Sequence, residues 1–143
     1  MFGSRKKAVD GVAKLKGVSF FDGFTDEELH RVAELADEVE AEPGAVLVDQ
    51  GRVGLECYVI LEGNASVYYG DEHVATVGPG SMVGEMALIE HRPRNATVIA
   101  DTPMKLLVFD TKHFKQLLEE MPKAHDRVME MLAARLRARQ SQQ

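Results

Sequence analysis

The chain has 143 residues, 45% of them hydrophobic and 28% charged, with a formal net charge of −6. That length suits one domain, and a sensor joined to a separate catalytic unit is not expected within it. The negative balance argues against a nucleic-acid footprint, which needs a surplus of Lys and Arg on one face. Apolar runs such as Lys105 to Phe109 are too short to span a bilayer, so no membrane partner is expected.

The basic amino end, Met1 to Val9, is not followed by a continuous apolar h-region, and a cytoplasmic location is expected. The domain is expected to run from residue 8 to 139, with flexible ends at 1–7 and 140–143. Thr25 followed three residues later by Glu28 predicts a capping box, and Leu29, Val32, Ala33, Leu35 and Ala36 supply the apolar stripe of the helix behind it.

From Val39 to Phe109 the pattern changes to short stretches rich in Val, Ile, Leu and Tyr, punctuated by glycines. Strands are expected over 45–48, 56–61, 65–69, 73–77, 96–99 and 105–109, and Gly84 ends a further apolar strand. Cys57 cannot form an intrachain disulfide and reads as a small buried hydrophobe on a strand. After Asp110, Phe114, Leu117 and Leu118 share one helix face until Pro122 stops it. Val128, Met131, Leu132, Arg135 and Leu136 then recur at three- and four-residue steps, predicting a long amphipathic helix that forms core, covers a ligand, or does both. The basic residues from Arg127 to Arg139 suit the negative pole at the end of that helix. The fold class is α+β, mainly β: an eight-stranded β-roll or jelly-roll with N-terminal helices, a short helix at residues 85–89 and two C-terminal helices.

The chemistry concentrates between Gly80 and Val98. Gly84 at the mouth of a short helix lets a ligand approach N–H groups that have no intrahelical partner. Arg94, constrained by Pro93, offers a guanidinium fork that matches two oxygens of a phosphodiester. Glu85 would repel a phosphate unless its carboxylate faces a neutral hydroxyl, such as a ribose 2′-hydroxyl. The pattern asks for one phosphate charge beside a free sugar hydroxyl, which a 3′,5′-cyclic nucleotide presents.

Gly84-Glu-Met-Ala-Leu88 followed by Pro93-Arg-Asn-Ala-Thr-Val98 resembles the phosphate-binding cassette of cyclic nucleotide-binding domains. The similarity extends to Phe20-Phe21, Pro43-Gly44, Gly51, Tyr58, Gly63 and Gly78, and so covers nearly the whole chain. It implies that Glu85 bonds the ribose 2′-hydroxyl and Arg94 pairs with the cyclic phosphate, while backbone N–H groups of Met86, Ala87 and Ala96 complete the cradle and Gly84 admits the sugar. Val83 and Val74 either line the base pocket or belong to the β-core. Arg135 either stacks over the purine or is solvated. Asn95 departs from the commoner patterns, where cAMP-binding members carry Ala or Ser and cGMP-binding members Thr. Those patterns hold for many members of each kind; the Asn95 amide suits either purine and leaves the base preference open, with cAMP favoured on the look of a bacterial-type cassette.

Two other classes fit the residues less well. A metalloenzyme of the small-barrel kind needs clustered histidines, and His30, His73, His91, His113 and His125 are scattered. No metal, other cofactor or catalytic residue is expected. A transcription factor would need a helix-turn-helix after the last helix, for which the sequence leaves no room. The expectation is a stand-alone or excised regulatory sensor, a monomer, acting on an effector protein or domain through its last helix. The alternative is a degenerate module that keeps the fold and works through protein contacts without a nucleotide.

Overall fold

The computed structural model describes residues 6–7, 11–51, 55–84 and 96–141. In chain order it contains β1 (Lys6–Lys7), α1 (Gly11–Leu15), a 3-10 turn (Ser19–Phe21), α2 (Asp26–Leu35), β2 (Asp37–Ala41), β3 (Val46–Val48), β4 (Glu56–Glu62), β5 (Ala65–Tyr69) and β6 (Glu72–Val77). Then follow β7 (Met82–Val83), β8 (Thr97–Ala100), β9 (Met104–Asp110), α3 (Thr111–Glu120) and α4 (Pro122–Ser141).

The strands form two antiparallel sheets, one in the order β1-β2-β9-β4-β7 and the other β3-β8-β5-β6. β2 to β9 make up the expected number of eight strands in the roll, although β2 lies outside the spans expected from the sequence, and the two-residue β1 pairs along the β2 edge, Lys6 opposite Glu38 and Lys7 opposite Asp37.

Period-two alternation sorts the residues of the first sheet between two cores. From β9, Met104, Leu106 and Val108 enter the roll interior, whereas Leu107 and Phe109 face the helices. β4 does the same with Tyr58 and Ile60 inside and Cys57 and Val59 outside, so Cys57 is fully buried on a strand, as read from the sequence. The second sheet closes the roll with Leu47, Val48, Ala65, Val98 and Ala100.

A layer of helices covers the outer face of the first sheet. Phe20, Phe21 and Phe24 pack edge to face with centroids 5.1 and 5.4 Å apart, a favoured geometry for aromatic quadrupoles. The capping box of α2 is complete: Thr25 Oγ1 accepts from the Glu28 N–H at 3.1 Å, and Glu28 Oε1 accepts from the Thr25 N–H at 2.8 Å. Asp110 caps α3 by accepting from the His113 N–H at 2.8 Å. Met121 closes α3, and Pro122, which lacks an N–H, takes the first position of α4, where no donor is missed.

Candidate functional site

β7 belongs to the first sheet and β8 to the second, so the chain leaves one wall of the roll at Val83 and enters the other at Thr97. The two flanks of the cassette are therefore anchored on opposite sheets. Glu85, Met86, Ala87, Arg94 and Asn95, together with the short helix expected at 85–89, lie outside the described residues.

Val83 stands opposite Tyr58 in the ladder, is 7% exposed, and packs in the roll interior. Gly84 follows with φ of +86°. An L side chain held there would cost about 1–2 kcal/mol, so the strand can turn at this point because the residue has no Cβ. On the other flank Ala96 is buried, and Thr97 Oγ1 accepts from the Gln50 N–H at 3.1 Å. Gln50 in turn takes the Gly70 N–H on Oε1 at 2.9 Å, which ties the β5–β6 turn to the start of β8.

Val74 is 41% exposed on the edge strand β6. It falls between the pairs Tyr68–His73 and Val67–Ala75, where the register shifts, so it is the extra residue of a β-bulge and belongs to neither buried cluster. Arg135 lies within α4, and of it only the backbone placement is described. The structure thus brings Val83, Gly84 and Ala96 to the cassette flanks and places Val74 on the roll's edge.

Sequence reasoning missed a second constellation. Arg127 Nη1 donates to the carbonyls of Phe20 and, at 3.5 Å, Ser19, while Nη2 donates to Asp22 O. Lys123 Nζ donates to Gly23 O and to Glu28 Oε1, both at 2.9 Å. Arg31 holds Glu120 in a two-pronged pair of 2.7 and 2.9 Å. That hydrogen-bonded guanidinium pulls the Glu120 carboxyl down to about 2. For Glu28, the Thr25 N–H and then Lys123 lower the carboxyl below its usual range. Arg127 was read as part of a basic helix end, but it sits in the second turn of α4, near the positive pole, so its role is this contact with the amino-terminal turn. The signal was the pairing of Lys123 and Arg127 four residues apart on one helix face.

A groove of about 420 Å³ lies elsewhere, where β2 and β4 end and β9 begins, lined by Glu40, Glu42, Glu62, Pro103 and Lys105 among others. Among the described residues, no three His, Cys, Asp or Glu side chains gather as a metal site, and no helix is long and apolar enough to cross a membrane.

The described residues form a two-sheet β-roll with a helical layer on one wall, with Gly84 and Ala96 flanking the cassette on opposite sheets. The sequence profile of the cyclic nucleotide-binding domain matches residues 38–121, and the chain belongs to that family. It is 34% identical over 107 residues, 75% of its length, to the cAMP-dependent protein kinase type II regulatory subunit of Drosophila melanogaster. Over 130 residues, 88% of its length, it is 34% identical to the acetyltransferase Pat of Mycolicibacterium smegmatis. The chain spans only 28% and 39% of these relatives. Among solved structures, the regulatory domain of Toxoplasma gondii PKA co-crystallised with cAMP superposes with a TM-score of 0.77 at 28% identity, covering 90% of this chain and 50% of that one.

Proposed function

We propose that this chain is a sensor that binds a 3′,5′-cyclic nucleotide, cAMP in preference to cGMP, and catalyses nothing itself. The observation that carries this is Gly84, held at φ +86° where β7 ends and the cassette residues begin. In this reading Arg94 takes the cyclic phosphate, Glu85 the ribose 2′-hydroxyl, and the N–H groups of Met86, Ala87 and Ala96 the remaining phosphate oxygens. Asn95 adjoins the phosphate, Val83 and Val74 flank the base, and Arg135 stacks over it. The preference for cAMP is supported by the Drosophila relative's name and by the cAMP in the Toxoplasma structure. The acetyltransferase named for the mycobacterial relative is not carried over, since the alignment spans 39% of that protein.

The unit would run over residues 8–139, act in the cytoplasm as a monomer, and signal to an effector protein or domain by a shift of α4. Calorimetric titration with cAMP and cGMP tests it. One-to-one binding is expected, tighter for cAMP, and Arg94→Ala should weaken it by about 2–5 kcal/mol, the cost of breaking a buried charge pair. If neither nucleotide gives heat, the chain is a degenerate module acting through protein contacts.

A further inference from the structure

The two halves of α4 are held differently. In the first half Ala124 and Val128 are fully buried against the helical layer, and Met121 just before the helix is nearly so. Beyond Val128 none of the described side chains of α4 is buried: Met129 is 39% exposed, Met131, Leu132 and Ala133 are half-buried, and Ala134 is exposed.

Polar contacts follow the same division. The Ser19–Phe24 segment presents several backbone carbonyls toward α4; Ser19 O also accepts the Asp22 N–H at 3.1 Å, and its second lone pair is left for α4. The Arg127 fork bridges the carbonyls of Ser19, Phe20 and Asp22, and its guanidinium carbon lies 5.3 Å from the centre of the Phe24 ring. Lys123 covers the next carbonyl, Gly23 O, from one helical turn earlier. At its other side the same segment touches the turn before β7: Ser19 Oγ donates to Gly80 O at 3.4 Å, and a Cβ on Gly80 would lie 3.1 Å from that hydroxyl.

We infer that Arg127 is a positioning residue that fastens the first two turns of α4 to the Ser19–Phe24 segment, so that a ligand-driven shift of α4 is confined to the half beyond Val128. This rests on the reading that α4 responds to nucleotide. The clamp is a geometric device: a planar fork reaches several carbonyls at once, which a single ammonium cannot. The half of the helix that can respond is then the one that carries Arg135.

Hydrogen exchange on the full chain, with and without saturating cAMP, tests this in wild type, Arg127→Ala and Arg127→Lys. In wild type, protection at 20–24 and 124–128 should be the same in both states, with the cAMP-dependent change starting after residue 128. In nucleotide-free Arg127→Ala, exchange at 20–24 and 124–128 should rise roughly tenfold, and the cAMP-dependent change should spread back toward Pro122. Arg127→Lys, which keeps the charge and the stem, should fall between and serves if the alanine variant does not fold. A cAMP-dependent change reaching 124–128 in wild type overturns the inference. So does a variant whose responsive segment still starts after Val128. Absence of cAMP heat in wild type would instead defeat the sensor reading, and exchange in the nucleotide-free proteins would still decide whether Arg127 fastens the two segments.

Discussion

The two hydrophobic clusters of the molecule share β4, β7 and β9 as a wall but are built differently on its two sides. Among the described residues, those buried inside the roll are Val, Ala, Leu, Ile and Met, with Tyr58 the one aromatic side chain. Outside it Phe20, Phe21, Phe24, Phe109 and Phe114 pack with helix-borne Leu, Val and Ala. The inner cluster is enclosed by backbone ladders whose hydrogen bonds are fixed by register. Around the outer cluster, ion pairs and side-chain-to-carbonyl bonds join the helices: Arg31 to Glu120, Lys123 to Glu28, and Arg127 to the amino-terminal turn. Ladders break only with the sheet, whereas side-chain contacts exchange one at a time. The roll is thus joined by cooperative backbone ladders and the helical layer by separable side-chain contacts.

The contrast can be broken at three strengths. Ile60→Ala opens a cavity in the roll, where the side chain is fully buried, and should cost about 2–5 kcal/mol in urea unfolding. Far-ultraviolet and tyrosine signals should still move together, and a helical layer that melts separately would show the two units to be less coupled than their shared wall requires. Thr25→Ala removes the cap and one half of the capping box of α2, for about 1 kcal/mol, and should raise amide exchange in the first turn of α2 while leaving β4 and β9 protected.

The smallest effect is that of pH. With its carboxyl at about 2 instead of 4.5, Glu120 contributes stability that is complete above pH 4.5 and is lost as pH falls toward 2. Both partners are solvent-accessible, so the contribution is small. The difference in urea midpoint between wild type and Glu120→Gln should be constant above pH 4.5 and shrink below it.

Elements governed by short-range rules were legible in the sequence. Thr25 and Glu28 marked the start of α2, Pro122 the break between α3 and α4, and alternating apolar residues marked β4, β5 and β9 within a residue or two. Asp37–Ala41 was absent from the expected strands because three of its five residues are acidic. It is a strand because Val39 and Ala41 enter the roll, while Glu38, buried on the other face, meets Lys14 at 2.5 Å. Met82–Val83 was marked by Gly84 at its end, whereas Lys6–Lys7 is too short to carry a period and pairs only with residues distant in sequence. At the site, Gly84 was legible because a glycine before Glu85 is a backbone signal. Arg127 was marked only by its four-residue spacing from Lys123; its partners, main-chain carbonyls more than 100 residues away, leave no trace in the side-chain pattern.

β9 carries apolar residues on both faces, Met104, Leu106 and Val108 toward one core and Leu107 and Phe109 toward the other. In a strand with one wet face, a slip of one residue would turn the hydrophobic set into water and be rejected. Here the same slip would trade most apolar residues between two dry compartments, with the half-exposed Lys105 alone carried toward the roll interior. Alignment must therefore be set where the strand begins and ends. At its start Gly63, at φ +94°, lies against Pro103 so closely that an added Cβ would be 2.8 Å from Met104 Cγ and 2.9 Å from Thr102 Oγ1. At its finish Asp110 caps α3, and the Thr111 N–H donates to Leu55 O at 3.1 Å. The turns act as the two end stops of a sliding part, and a chain with altered stops would misalign without exposing an apolar surface to betray the error.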